Sequence, residues 1–472
     1  MKHLTLLTLV FLTALMTTRA ADVPISKTPL PDAVRGKEIA DMKWGMFVCW
    51  SFSTFSGKEW TPGITDIDLF NPTGCDTDQW VRIAKEAGMG YILFLAKHHD
   101  GFCLWDTATT DRKVGKTKAM PGRDVLAELR KSCDKHGIKL ALYFSEGEWA
   151  WPDKPAGGRF QENGGYNPEM KKAQLKELLT RYGPVEFIWF DHAIGDGGLS
   201  HAATDKWVRQ FQPNCFSGFN SGEAGGRIVL RERGKAGPLG GDGLNWVTGQ
   251  GDHEKTYPYT VAEFTYPLLG KNSGASGDGA DWFYSKPKYD GTALPASKIY
   301  QDYLGAVKYS NIFSLNVGPD YAGRLREIDV KTLREVGRMI RSEIKVPVAI
   351  SGKASASGTW SQPGYEADKA NDDNPATRWG AEAESRSAWL AIDLGGEHAV
   401  SHVIVDEAGF DRVRKFEIQA QTKDGWRIVS TGTTLGSNKK IVFPAPVKAG
   451  VFRIQILDAT DVPTLGEFQC FE

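Results

Sequence analysis

At 472 residues the chain is too long for one ordinary domain, so two are expected, one of them a large barrel. It carries 57 Lys and Arg against 58 Asp and Glu, a formal net charge of −1. That balance excludes a nucleic-acid or anionic-membrane partner held by bulk charge.

Lys2 and His3 precede an apolar run over residues 4–16, followed by Thr-Thr-Arg-Ala-Ala. This predicts a secretory signal peptide over residues 1–21, too short to span a membrane. No second apolar run of spanning length follows, so an exported product, periplasmic or secreted, is expected. The six cysteines show no metal-ligand spacing. Export permits disulfides, but spacing alone does not pair them.

From Gly45 onward, strand-like and helix-like segments alternate. Residues 45–50 and 91–96 are short apolar runs, with a helical pattern over 77–88 between them that ends at a Gly. A helix over 124–137, a strand over 138–144, a helix over 168–183 and a strand over 185–191 follow. A helix from 205 and a strand over 215–219 continue the pattern. Residues 220–290 are Gly-rich and polar, with long insertions of the functional or mobile kind. Order returns with a strand at 312–319 and a helix at 327–344. Strands alternating with helices predict a parallel sheet with crossover helices. Polar and aromatic residues follow nearly every strand, which favours a (β/α)8-like barrel over an open sheet. This catalytic unit is expected over residues 22–345.

After Lys345 helical spacing vanishes. Short alternating segments at 388–394, 400–405, 414–421, 426–430, 441–443 and 451–457 predict an antiparallel β-sandwich over residues 346–472.

Val185-Glu186-Phe187-Ile188-Trp189-Phe190-Asp191 is a buried strand that ends on a carboxylate at the rim where barrel active sites sit. The alternative is a loop-capping or salt-bridged Asp. Glu59-Trp60, His98-His99 and Tyr143 follow or close the first three strands and are expected to face the same cleft. Two tandem His point to opposite sides and do not readily share one metal, so hydrogen bonding to substrate hydroxyls is the expected role. Fifteen Trp suit a cleft for sugar, whose apolar ring faces stack on indole.

Trp44-Gly45-Met46-Phe47-Val48-Cys49-Trp50, Glu59-Trp60, Lys97-His98-His99-Asp100-Gly101-Phe102, Trp189-Phe190-Asp191 and Leu315-Asn316-Val317-Gly318-Pro319 occur in order. Together they resemble glycoside hydrolase family 29, retaining α-L-fucosidases on a barrel-like fold. The resemblance covers residues 34–345. It implies that Asp191 is the nucleophile and that Glu59, Trp60, His98, His99 and Trp189 line the fucose pocket, with Tyr143 beside them. It further implies that Trp282 lies beside the sugar's methyl group. The family's acid/base is placed variably. Residues 226–232 resemble the stretch that ends on it in some members, which selects Glu232, with Glu223, Glu254 and Glu263 as competitors. Two departures stand out. Cys49 replaces a substrate-contacting His, and the Arg expected two residues after Asn220 is absent, with Arg227 nearby.

Residues 370–379 and 389–395 resemble a discoidin-like, coagulation-factor type C module of the class of family 32 carbohydrate-binding modules. Asp372, Asn374 and Thr377, with Glu467, offer oxygen ligands for a structural Ca²⁺; the alternative is an Asx-rich turn. Its loops show no clear aromatic platform. No cofactor is expected for catalysis. The expected activity is exo-acting removal of fucose from a fucosylated oligosaccharide or glycoprotein glycan. The alternatives are a related retaining glycosidase for another sugar, such as an α-L-galactosidase, or a non-catalytic glycan-binding protein.

Overall fold

The computed structural model describes residues 24–147, 168–191, 198–220, 226–233, 235–239, 245–248, 255–257, 261–270, 280–284, 286–343, 345–374 and 376–472. The expected signal peptide, Glu223 and Glu254 lie outside them.

Helix α1 (Asp32–Ala40) precedes the first strand. The parallel strands of the barrel are β1 (Trp44–Val48), β2 (Tyr91–Lys97), β3 (Lys139–Ser145), β4 (Phe187–Asp191) and β5 (Phe216–Phe219). After them comes β6 (Val229–Glu232), then a small antiparallel insert of β7 (Lys235–Leu239), β8 (Asn245–Thr248) and β9 (Lys255–Tyr257). The barrel resumes with β10 (Ala262–Pro267) and β11 (Ile312–Val317). The eight barrel strands run in the order β5-β4-β3-β2-β1-β11-β10-β6. The helices are α2 (Phe52–Ser56), α3 (Thr77–Glu86), α4 (Val125–His136), α5 (Pro168–Arg181), α6 (His201–Phe211), α7 (Ala296–Lys308) and α8 (Glu327–Ile340).

β1, β2 and β11 are buried along their whole lengths, as strands sandwiched between a filled barrel interior and outer helices must be. Asp76, Asp124 and Ser200 accept backbone N–H bonds at the starts of α3, α4 and α6, each cap stabilising its helix by about 1 kcal/mol. The Ser200 cap starts α6 at His201, four residues before the sequence pattern placed it.

The wall closes between β5 and β6 without a ladder. Arg227 N–H donates to Ser217 O at 2.8 Å, and Gly218 and Gly226 form an isolated bridge. Gly226 has φ +73°, and a Cβ there would fall 1.9 Å from Ser217 O, so only glycine allows this approach.

Beyond the barrel, β14 (Ala388–Asp406) and β17 (Lys439–Ala459) are the long strands of an antiparallel sheet. It also holds β12 (Lys353–Ala356), β15 (Val413–Thr422), β16 (Gly425–Gly432) and β19 (Glu467–Phe471). A second small sheet pairs β13 (Trp379–Gly380) with β18 (Thr464–Leu465). The segments expected at 388–394 and 400–405 are one strand, as are those at 441–443 and 451–457. Register shifts between Asp393 and His398 and between Val400 and His402 break the alternation without ending the strand. The sandwich has its own buried cluster, including Leu390, Ile392, Ile418, Phe452 and Ile454, separate from the barrel core.

Candidate active site

Residues at or just beyond the C-terminal ends of the strands converge on one cleft. Asp191 ends β4, and the parallel register sets Ser145 beside it and Tyr143 beside Trp189. Phe47, Tyr143 and Trp189 stack as a floor, with centroids 5.5 Å apart for Phe47 and Tyr143 and 5.4 Å for Tyr143 and Trp189. Trp189 is 2% exposed and lies beneath the cleft rather than at its surface.

Asp191 receives donors on both oxygens. Tyr143 OH donates to Oδ2 at 2.5 Å, and Asn220 Nδ2 donates to Oδ1 at 3.0 Å. His99 Nε2 stands 3.6 Å from Oδ2. Burial, then the charge and hydrogen bond of Asp191, pushes the Tyr143 phenol well above its ordinary range, so it remains a donor.

Asn220 Nδ2 also donates to Glu232 Oε2, at 3.2 Å. One nitrogen therefore touches both carboxylates, and their oxygens can stand no further apart than those two bonds laid end to end. A retaining pair needs a separation of about 5–5.5 Å, which this bridge permits. In the sequence Asn220 is marked only as the asparagine two residues before the missing Arg, and nothing there gives its amide this role.

Glu59 accepts the backbone N–H groups of Asp281 at 2.7 Å and Trp282 at 3.3 Å. Burial, helped by the charges of Asp281 and Glu232, nonetheless pushes its carboxyl up to about 7 against those two bonds. Trp60 stands at the mouth, 61% exposed. Thr61 Oγ1 donates to Asp100 Oδ2 at 2.9 Å, which fastens the Glu59-Trp60 stretch to the His98-His99 turn. The two imidazoles do not point to opposite sides as expected: past the strand end they lie together, tilted, with centroids 4.0 Å apart, and His98 packs edge-on to Phe283. Trp282 lies near Phe47, and the Arg233 guanidinium sits over its indole at 5.3 Å while donating to Asp281 Oδ2 at 3.1 Å. Arg233 follows Glu232 directly, with a left-handed φ of +51°.

Two sequence-level expectations meet different geometry. Arg227 is not in the cleft: it donates to Pro213 O and Cys215 O and pairs with Asp205, at the opposite end of β5. Arg233 is the guanidinium at the mouth. Glu263 is fully buried, accepts Trp189 Nε1 at 2.9 Å and lies under the floor, and burial pushes it up to about 7. Cys49 is buried beside the site. Burial first, then the charges of Glu59 and Asp191, raise its thiol far above the ordinary range, and Asn316 is its hydrogen-bond partner.

A family model described as alpha-L-fucosidase matches residues 64–343, more than half of the chain. The chain belongs to the α-L-fucosidase family. A second model, the F5/8 type C domain, matches residues 353–468. Among curated relatives, Alpha-L-fucosidase 1 of Arabidopsis thaliana is 28% identical over 435 residues, covering 89% of this chain and 83% of that one. A putative alpha-L-fucosidase 1 of Oryza sativa subsp. japonica is 28% identical over 500 residues, covering 100% and 92%. Among solved structures, a putative alpha-L-fucosidase from Bacteroides ovatus has a TM-score of 0.54 at 25% identity, covering 94% of this chain and 74% of that one. Isoenzyme 1 from Paenibacillus thiaminolyticus shares the fold, with a TM-score of 0.55 at 21% identity over 91% and 100%.

In the C-terminal part of this family member, Asp372 closes a turn ahead of β13. Its carboxylate accepts Thr377 Oγ1 at 2.8 and 2.9 Å and Asn374 N–H at 3.1 Å. Glu467, on β19, has both carboxylate oxygens buried without a hydrogen bond of ordinary geometry. Burial, then the charges of Asp373 and Asp372, pushes it up to about 8, although the amides of Asn374 and Asp373 oppose this from nearby. Among the described residues, no three His, Cys, Asp or Glu side chains stand at metal-ligand spacing, so a cation here would need main-chain oxygens as well. No described helix is long and apolar enough to cross a membrane.

Proposed function

We propose that Asp191 and Glu232 carry out the double displacement of a retaining, exo-acting α-L-fucosidase. Asp191 attacks the anomeric carbon while Glu232 protonates the departing oxygen. Glu232 then takes a proton from water, which releases fucose from the covalent intermediate. The observation that carries this reading is the Asn220 amide that touches both carboxylates. Tyr143 OH and the Asn220 amide donate to the two oxygens of Asp191 and hold the carboxylate in place. His98, His99, Glu59, Trp60 and Trp282 bind the sugar, with Trp189 supporting the floor. The substrate is a fucosylated oligosaccharide or glycoprotein glycan.

Asp191→Asn keeps the fold and lowers turnover of an aryl α-L-fucoside by several orders of magnitude. Near-normal activity would move the nucleophile to another carboxylate. A panel of p-nitrophenyl glycosides tests the sugar. Cys49 beside the site offers a hydroxyl a weaker partner than imidazole, which favours α-L-galactoside as the second substrate to try. A binding protein without turnover on any glycoside is the remaining outcome; two carboxylates held on one amide are of no use to it.

We further propose that the chain divides near residue 346 and that residues 1–21 are removed on export. Met1 retained on exported protein would count against the second point. The Asp372 turn and Glu467 suit a structural Ca²⁺: the donors are all oxygen, and Glu467 is a buried carboxylate lacking a partner of ordinary geometry. Bound there, the ion would supply the positive charge that Glu467, Asp372 and Asp373 lack.

A further inference from the structure

Ser145 ends β3 and is fully buried. Its Oγ accepts the Gly147 N–H at 3.0 Å and lies 2.6 Å from His99 Nδ1. A hydroxyl has one proton to give. Among the described residues the nearby acceptor for it is His99 Nδ1, because Gly147 N–H is itself a donor. The reverse arrangement would direct two donors at Ser145 and strand its proton in a buried place, which native structures avoid.

We infer that Ser145 is a positioning residue that sets His99 as the Nε2–H tautomer. Nδ1 then accepts from the serine, and Nε2–H faces Asp191 Oδ2, 3.6 Å away. That distance is long for a hydrogen bond, and a sugar oxygen that enters between the two can accept from Nε2–H. His99 therefore offers a donor to the substrate, and the hydroxyl it meets must accept from it. Ser145 is well placed for this task. Its strand neighbour across the ladder is Asp191 itself, and the next N–H, of Glu146, donates to Asp191 O at 2.9 Å. The nucleophile and the tautomer lock are therefore placed by one pair of strands.

The inference rests on the reading of the cleft given above, but the readout that decides it is the tautomer of His99, not turnover. The full chain labelled with ¹⁵N-histidine gives long-range proton–nitrogen spectra, and His99→Gln identifies the His99 peaks. The expected pattern is a pyridine-type Nδ1 and a pyrrole-type Nε2; a proton on Nδ1 overturns the inference. In Ser145→Ala the single tautomer should give way to a mixture and kcat/KM on an aryl α-L-fucoside should fall by roughly tenfold. Ser145→Thr, which keeps the hydroxyl, should restore both. An unchanged His99 spectrum in Ser145→Ala would overturn the inference even if activity fell. If Asp191→Asn stays active while the tautomer is as stated, the functional reading fails and this one stands.

Discussion

Asp191 and Glu232 end their strands alike, yet they differ in how they are held. Asp191 has three donors close by, from Tyr143, Asn220 and His99. Glu232 shares the Asn220 amide, and its charge helps to raise the neighbouring carboxyl of Glu59. An acid should matter most when the leaving group is poor. Glu232→Gln should therefore cut hydrolysis of a natural fucosyl linkage far more than that of an activated aryl fucoside. Added azide should speed the aryl reaction where deglycosylation limits it and give an α-fucosyl azide, with a larger effect in Glu232→Ala. Equal loss on both substrates, or none, would pass the role to Glu223 or Glu254; Glu263 is sealed beneath Trp189. The residues with unusual side chains in unusual company, His98-His99 and the Trp-Phe-Asp run, were legible in the sequence. Ser145 was not, and Asn220 was marked only by the missing Arg beyond it, because a serine and an asparagine gain these roles only from the strands that set them beside Asp191.

The elements were legible wherever hydrophobic period and capping agreed. α4 shows both, with Asp124 at its start and left-handed Gly137 at its end. The two long strands of the C-terminal sheet were read in pieces because Gly395 and Gly396 in β14 and Pro444 and Pro446 in β17 look like stops, whereas the ladder resumes after shifts in register. The Asp372 turn and β19 form a unit that can be tested by itself. Glu467 has a folded pKa raised to about 8, above its unfolded value. A raised carboxyl favours the fold while protonated, so its contribution is full below the unfolded pKa and is lost as pH rises through 8. Calcium would take the place of that proton. Thermal melts with and without calcium should show a shift of several degrees at pH 8 and a smaller one at pH 6, and Glu467→Gln should remove the difference. A melt unmoved by calcium at both pH values would leave the Asx turn as the whole account.

At the scale of the molecule, each sheet has its own core, and every cleft residue described above precedes the C-terminal sheet. Lys345 Nζ donates to Glu472 O at 2.6 Å, a link at the surface rather than at the cleft. Deleting residues 346–472 should therefore leave kcat on an aryl α-L-fucoside within about threefold of the full chain, with any loss appearing in stability or on polymeric substrate. A folded but inactive truncation would mean that the sandwich completes the site.

The barrel wall has one joint made without a ladder, between β5 and β6, and the proposed acid sits on its far side. β6 is paired on one edge to β10 and is followed at once by the three-stranded insert. Asp191 stands on β4, which is laddered on both edges, to β3 and to β5, so an inserted residue would slip both neighbours. On β6 an inserted residue would slip one ladder only, the one with β10. A proposed nucleophile laddered on both edges and a proposed acid laddered on one are unequally tethered, so lengthening the wall beside β6 would displace the second before the first.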